Sequence, residues 1–413
     1  MKVAVVHPGT QHSWQTALAL QELGALHFYA TSIFHQPGRF PYSLADRLPG
    51  AAGARLAREF ARFSHPGLDP ALVRTAGLSE WAERLAARAG ARRLAQRIDR
   101  LGNRRFARSI AAELASAAPF ALWAYNASAR ESFLAARAAG RLCILDRTIG
   151  DLRAYDAAMD VIAARHGDWI LPGDRRIAPE VIARDEAEYA LADRILVGCE
   201  HAAGTIRAHA APAIADKLEV LPYCWDEALF GAMPPPAPAA VDEPLRLLFV
   251  GQAHARKGIH LLLEAFAKLP PGLATLTVVG DIRVPRALFA RHAAGVTHIA
   301  QVPRAEIPAI MARHHLLVFP SFFEGSALTL LEALAAGLAI IQTPAAGCGV
   351  TARCGLLLER PDGDLLFAAL SEALRDRERL QHWREAAQVE ARRYSFSRYR
   401  AGIDALLRRL AAR

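Results

Sequence analysis

Two glutamates eight residues apart, Glu324 and Glu332, lie in the run Pro320-Ser321-Phe322-Phe323-Glu324-Gly325-Ser326-Ala327-Leu328-Thr329-Leu330-Leu331-Glu332-Ala333. An apolar strand ending at Pro320 and a helix over 327–336 would set a helix N-terminus just outside the strand's carboxyl end. Free amides and the positive end of the helix dipole suit a phosphate there. Gly325 permits close backbone approach, Ser326 is placed to cap the helix, and Gly337 to end it. Glu332 is the one ionisable group of this helix, with Leu328 and Ala336 at i−4 and i+4. A carboxylate buried there without a partner is costly. It either binds a polar ligand or sits at the edge of the buried stripe and reaches water or an arginine, and Glu324 eight residues earlier tips the balance toward a ligand.

A second run, Phe249-Val250-Gly251-Gln252-Ala253-His254-Ala255-Arg256-Lys257-Gly258, again takes a strand into a loop with a glycine at each end. Arg256 and Lys257 would stand just before the next helix, and two adjacent cations suit a pyrophosphate. The spacing is not that of a Walker A loop, and no Ser or Thr follows the lysine. A basic loop in water is the other reading. Third, the opening strand at 3–7 runs into Pro8-Gly9-Thr10-Gln11-His12-Ser13, where Gly9 allows a tight turn and His7 and His12 offer a base or a hydrogen-bond donor. A structural role is the commoner fate of a lone histidine. The single Asp-x-Asp, Asp362-Gly363-Asp364, precedes a helix and reads as a turn and N-cap.

The elements that must position these residues follow from the rest of the chain. At 413 residues, 53% hydrophobic and 22% charged, it is expected to fold as two globular domains. Its apolar runs are broken short of the ~18 to 20 residues that span a bilayer. The N-terminus reads as a strand rather than a secretory signal, which places the protein in the cytoplasm. Five cysteines without a C-x-x-C pair read as reduced, structural thiols. Short buried strands are expected at 120–125, 143–145 and 195–197, separated by helices, which implies a parallel sheet. The proline-rich stretch 233–243 forbids regular helix and marks the domain boundary. Beyond it the alternation restarts, with strands at 245–250, 276–279 and 316–319 and helices at 259–269 and 327–336.

These features together resemble glycosyltransferase family 4, retaining enzymes of the GT-B fold that use nucleotide sugars. Glu324 and Glu332 match its E-x7-E motif, and 250–258 matches its phosphate-binding loop. Leu221-Pro222-Tyr223-Cys224-Trp225-Asp226 and Ala192-Asp193-Arg194-Ile195-Leu196-Val197 are similar to segments the family places before the linker and at the last N-terminal strand. The likeness extends over residues 185–375 and is thin over 25–180. It implies an α/β chain of two Rossmann-like doubly wound domains facing across a cleft. Residues 1–232 would bind the acceptor, 233–243 link, and 244–395 bind the nucleotide sugar. A C-terminal helix over 396–413 would be able to pack back on the N-terminal domain.

Carried over by residue, the resemblance implies that Glu332 binds ribose hydroxyls and Glu324 touches the sugar near the reacting centre. Amides around Gly325, Ser326 and Ala327, with Lys257, would hold the diphosphate, and Gly9, Gln252 and Arg256 would complete the donor site. Charge grows on the leaving diphosphate as its bond to the sugar breaks, and fixed cations stabilise it there. No cofactor and no metal is then expected, the nucleotide sugar being a co-substrate. Two departures stand out. The family commonly has Arg where Gln252 stands, and it often has a histidine near the sugar that the stretch 144–151 lacks. His12, Asp146, Arg147 or Asp151 are the positions open to that role.

The predicted activity is transfer of a hexose from a nucleoside diphosphate sugar to a hydroxyl of a glycan or lipid-linked acceptor, in envelope or exopolysaccharide assembly. A nucleotide-sugar isomerase and a non-catalytic nucleotide-sugar-binding partner are the alternatives. Of the net charge of +9, residues 54–114 carry most, with thirteen arginines against six acidic residues. With Phe60, Phe63, Trp81 and Phe106 this stretch could lie on anionic lipid at the inner face of the membrane, or be a solvated face. No nucleic-acid-binding module accompanies the charge.

Overall fold

The computed structural model describes residues 1–413 except 10–11, 37–41, 62, 64, 66, 76–101, 173, 175, 239–242 and 413. Trp81 and much of the basic stretch lie outside the described residues. Fifteen strands are described: β1 Val3–Val6, β2 Leu26–Thr31, β3 Val73–Thr75, β4 Ala121–Tyr125, β5 Cys143–Arg147, β6 Arg194–Val197, β7 Leu218–Val220, β8 Leu245–Val250, β9 Ala253–His254, β10 Ala274–Val279, β11 Ile282–Arg283, β12 Val296–Ile299, β13 Leu316–Phe319, β14 Ala339–Gln342 and β15 Gly355–Leu357.

They form a seven-stranded sheet in the order β3-β2-β1-β4-β5-β6-β7, a six-stranded sheet in the order β12-β10-β8-β13-β14-β15, and the small pair β11-β9. The recorded pairings are parallel in both large sheets. Parallel strands need crossovers and are covered on both faces. Accordingly β1, β4, β5, β13 and β14 are buried along their whole length. In each sheet the strand order reverses beside the first strand, β1 or β8. The loops leaving the carboxyl ends there are where doubly wound sheets place ligands.

The chain divides into two compact units, one of Met1–Asp146, Ala183–Leu196 and Arg400–Arg413, the other of Arg147–Ile182 and Val197–Tyr399. The last helix, Phe396–Ala411, thus ends in the first unit, where Arg400 forms an ion pair with Glu22. The described part of the proline-rich linker is irregular. It is held to the helix Arg377–Ala391 by Gln388, which donates to Pro234 O at 2.8 Å, and by Arg384, which donates to Ala237 O at 2.5 Å. No described helix is long and apolar enough to cross a membrane.

Three aromatic residues of the basic stretch are corrected by the fold. Phe60 and Phe63 pack with Ile33 and Tyr42 in a small core, and Phe106 is 3% exposed, so these rings are committed to packing and are unavailable to lipid. All five cysteines are free, four of them buried and Cys348 half-buried. Burial pushes the Cys199 thiol up to about 11 and the Cys143 thiol to about 12, which suits structural thiols.

Candidate functional site

In the second unit, β8 and β13 are neighbours, so their exit loops must cross at the carboxyl edge of the sheet. Phe322 N donates to Arg256 O at 2.8 Å, and the Arg256 guanidinium donates to Phe323 O at 2.5 Å. Gly258 permits the crossing. Its φ is +72°, and a Cβ there would lie 2.1 Å from Pro320 O. Gly325 is held as closely on the other side, bridged to Ile149, with Thr148 O 1.9 Å from where a Cβ would be.

The crossing brings three predicted residues together. Lys257 Nζ lies 2.5 Å and Arg256 Nη1 2.9 Å from the same oxygen of Glu324, Oε1, and the three side chains are 14%, 17% and 12% exposed. Lys257 also sits 4.8 Å above the Phe319 ring. Burial lowers the Lys257 pKa, while the Glu324 charge opposes the fall. Two cations sharing one carboxylate leave a net positive charge on a partly buried floor, which is what a diphosphate requires.

His254 braces this loop. Its Nδ1 accepts from Arg256 N at 2.9 Å, and its Nε2 lies 3.2 Å from Asp174 Oδ2. Burial lowers its pKa, so the neutral ring accepts at one nitrogen and donates at the other. Gln252, by contrast, is exposed, and its carbonyl accepts from His254 N at 2.8 Å.

Glu332 is 4% exposed on the helix Leu328–Ala335. Its partner is an arginine, the alternative weighed against a ligand: Arg304 Nη2 lies 2.6 Å from Glu332 Oε1 and 3.9 Å from Asp226 Oδ2. Burial raises the Glu332 pKa against the pull of Arg304.

The helix start differs from expectation. Its N-cap is Ala327 and no side chain caps it, because Ser326 Oγ turns to Cys348 Sγ at 3.5 Å. Ala327 N donates to Ala346 O at 3.0 Å, and Gly325 O accepts from the Cys199 thiol at 2.9 Å. The amides that precede any intrahelical acceptor are therefore those of Leu328 and Thr329.

Gly9 and His12 belong to the first unit, and Thr10 and Gln11 between them lie outside the described residues. His7, at the end of β1, has its ring 4.9 Å from Tyr125 and Nδ1 3.4 Å from Ser128 Oγ. Gly9 passes so close that a Cβ would be 2.9 Å from His7 Nε2. His12 packs edge-on to Tyr125 at 5.5 Å. Burial lowers His7 to about 4. Burial and then the charge of His7 lower His12 to about 3, so both rings are neutral near pH 7. A base of so low a pKa is weak at that pH. The other positions open to the missing histidine's role are structurally engaged. Asp146 accepts from Trp123 Nε1, Arg147 donates to Ile149 O and Gly150 O, and Asp151 pairs with Arg153 at 2.8 Å.

Arg304, Asp226 and Asp174 were not foreseen as site residues. Arg304 follows Pro303 in a polar loop, and no local pattern separates it from any solvated arginine.

Two parallel doubly wound sheets with this loop pair define the GT-B fold. Over 100% of this chain and 99% of the other, the structure is similar to sucrose-phosphate synthase from Thermosynechococcus elongatus, with a TM-score of 0.64 and 16% identity. It is likewise similar to Anabaena HepE in complex with UDP, over 98% and 99% of the two chains, with a TM-score of 0.61 and 14% identity. Residues 244–376 match the family described as Glycosyl transferases group 1. Among curated proteins, the lipopolysaccharide glucosyltransferase WaaG of Escherichia coli K12 is 30% identical over 151 residues, 34% of this chain and 40% of that protein. The O-antigen chain mannosyltransferase B of Escherichia coli is 27% identical over 150 residues, 34% and 38% of the two chains. The matched region spans about two fifths of the length of these relatives.

Proposed function

We propose that the protein is a retaining glycosyltransferase that moves a hexose from a nucleoside diphosphate sugar to a hydroxyl of a glycan or lipid-linked acceptor. Residues 244–395 take the donor, 1–232 the acceptor, and 233–243 join them. The observation that carries this reading is the convergence of Arg256, Lys257 and Glu324 at the crossing of two strand-exit loops, with Glu332 eight residues on. The match of 244–376 to a glycosyltransferase family and the UDP named in a structure of similar fold support it.

In this reading Lys257 and Arg256 hold the diphosphate and stabilise the charge that grows on it as the glycosidic bond breaks, without a metal. Arg256 supplies the cation that Gln252 does not. Glu324, already bound to both cations, touches the sugar beside the reacting carbon. Glu332 accepts the ribose hydroxyls. The acceptor attacks from the face the diphosphate leaves, and the departing phosphate takes its proton, which fits a first unit whose buried histidines are neutral. Polysaccharide or glycolipid assembly in the cytoplasm is the setting we assign. The exposed Arg74, Arg104, Arg105 and Arg108, rather than the rings of Phe60, Phe63 and Phe106, would meet an anionic membrane face.

The test is thermal unfolding with UDP, GDP, ADP and CMP and their sugar conjugates, on the wild type and on Glu332→Ala. A ligand at about 100 times its dissociation constant adds ~2.7 kcal/mol. One diphosphate should stabilise the wild type and fail on the variant. No stabilisation by any of them would overturn the donor site, and an epimerised sugar nucleotide formed without acceptor would make the protein an isomerase.

A further inference from the structure

Glu332 is a carboxylate in an apolar helix, and the cation beside it comes from far along the chain. Arg304 opens the short turn Arg304–Glu306 after Pro303, and its guanidinium reaches both Glu332 Oε1 at 2.6 Å and Asp226 Oδ2 at 3.9 Å. The two acids are buried, their side chains 5% and 11% exposed, while the arginine is 54% exposed. Asp226 has its own task, accepting from Ala228 N at 3.1 Å as the cap of the helix Glu227–Phe230. One half-solvated cation therefore stands against two buried carboxylates, through a single oxygen of Glu332.

The helix Arg377–Ala391 packs against the Glu332 helix, and its buried charges are engaged elsewhere. Arg384 donates to Ala237 O, and Glu390 pairs with Arg393 at 3.1 Å and with Arg353 at 3.7 Å. Among the described residues, the charges that act on Glu332 are Arg304, which favours its ionised form, and Asp226, which disfavours it.

We infer that Arg304 is a positioning residue of the donor site, keeping Glu332 ionised and turned so that the carboxylate accepts both hydroxyls of the nucleotide's ribose. This rests on the reading of Glu332 as the ribose-binding group. Two neighbouring hydroxyls that both donate need an acceptor-only partner, and a carboxylate is one only while ionised. A protonated Glu332 becomes a donor at one oxygen and loses half the match. A glutamate buried in apolar surroundings without its cation can hold its proton up to about pH 8 or 9. Removing Arg304 thus moves the loss of ribose binding to higher pH than in the wild type, where Arg304 opposes the rise that burial causes.

The experiment is calorimetric titration of UDP-glucose, GDP-mannose and ADP-glucose between pH 5.5 and 8.5, on the wild type, Arg304→Ala, Arg304→Lys and Glu332→Ala. The diphosphate of a sugar nucleotide has no proton that titrates in this range, so the slope belongs to the protein. For whichever conjugate binds, the wild type should lose affinity only at lower pH than Arg304→Ala does. Arg304→Ala should come within about threefold of the wild type at pH 8.5 and fall about tenfold below it by pH 6, and Arg304→Lys should restore the wild-type profile. A profile in Arg304→Ala parallel to that of the wild type, tight or uniformly weak, would overturn the proposal, since a purely structural contact adds no pH slope. So would a slope that persists in Arg304→Ala combined with Glu332→Gln. If Glu332→Ala binds as tightly as the wild type, it is the ribose reading that has failed. Arg304→Gln repeats the test should the alanine variant not fold.

Discussion

Lys257 and Glu324 meet at 2.5 Å between Nζ and Oε1, each about six-sevenths buried, and Arg256 holds the same oxygen at 2.9 Å. The arrangement separates stability from chemistry. In Lys257→Ala, Arg256 still pairs with Glu324, so the variant should lose about 1 to 2 kcal/mol, less than the ~3 to 5 kcal/mol of a fully orphaned buried charge. Its kcat should fall about 10²- to 10³-fold, the usual cost of losing one preorganised donor to a developing anion. Denaturant melts and steady-state kinetics on the same preparation check both. A fall in kcat no larger than the loss of folded protein would remove Lys257 from the reaction.

Gly258→Ala tests the crossing itself. The φ of +72° and the 2.1 Å approach to Pro320 O both oppose a side chain there. The strain of a non-glycine residue in this region is about 1 to 3 kcal/mol, and the clash with a backbone oxygen adds to it. We expect a lowered melting temperature and a turnover loss like that of Lys257→Ala, because Lys257 is the preceding residue. The control Gly272→Ala has a similar positive φ, but its Cβ meets nothing within 4 Å. It should cost stability without touching kcat.

What the sequence made legible follows from how locally each feature is determined. The buried strands Leu316–Phe319 and Leu245–Val250 are apolar runs bounded by breakers, and both were found within their limits. Asp362 was read as a cap and accepts from Asp364 N and Leu365 N. The edge strands Val73–Thr75 and Val296–Ile299 are half solvated and carry no apolar run, so nothing distinguished them from loop. Glu332 was conspicuous as the one charge in an apolar helix, and the need for a partner could be deduced. That the partner is Arg304, 28 residues away, depends on the path of a loop. Ser326 shows the reverse error, where a good capping residue by local rules turned instead to Cys348, brought there by the fold.

Asp174 should govern Arg256 through His254. A neutral His254 that accepts from Arg256 N at Nδ1 must carry its proton at Nε2, facing Asp174 Oδ2. Asp174→Asn keeps an acceptor oxygen and should retain near wild-type turnover. Asp174→Leu frees the ring to take its other tautomer, and we expect kcat to drop about three- to tenfold with little change in melting temperature. Equal kinetics for the two variants would show that the tautomer does not matter to the loop.

His260 makes the unit sensitive to acid. It is fully buried on the helix Ile259–Ala267, stacked on Phe322 with centroids 5.6 Å apart and beside His166 at 4.6 Å. Among the described residues neither of its ring nitrogens has a hydrogen-bond partner. Burial, and secondarily the charge of His166, lowers its pKa from 6.5 to about 3. The unfolded chain therefore binds a proton below pH 6.5 that the folded chain refuses until about pH 3, and stability must fall as pH falls through that window. At ~1.36 kcal/mol per pH unit this one residue costs about 2 kcal/mol between pH 6.5 and 5. His260→Phe preserves the stack, cannot be protonated, and leaves no orphaned nitrogen. Its denaturation free energy at pH 7.5 should equal or exceed that of the wild type, and its decline from pH 6.5 to 5 should be shallower by about 2 kcal/mol. The histidines buried elsewhere keep a residual slope, so the informative quantity is the difference between the two curves. Parallel curves would mean that His260 finds a proton partner in the folded chain.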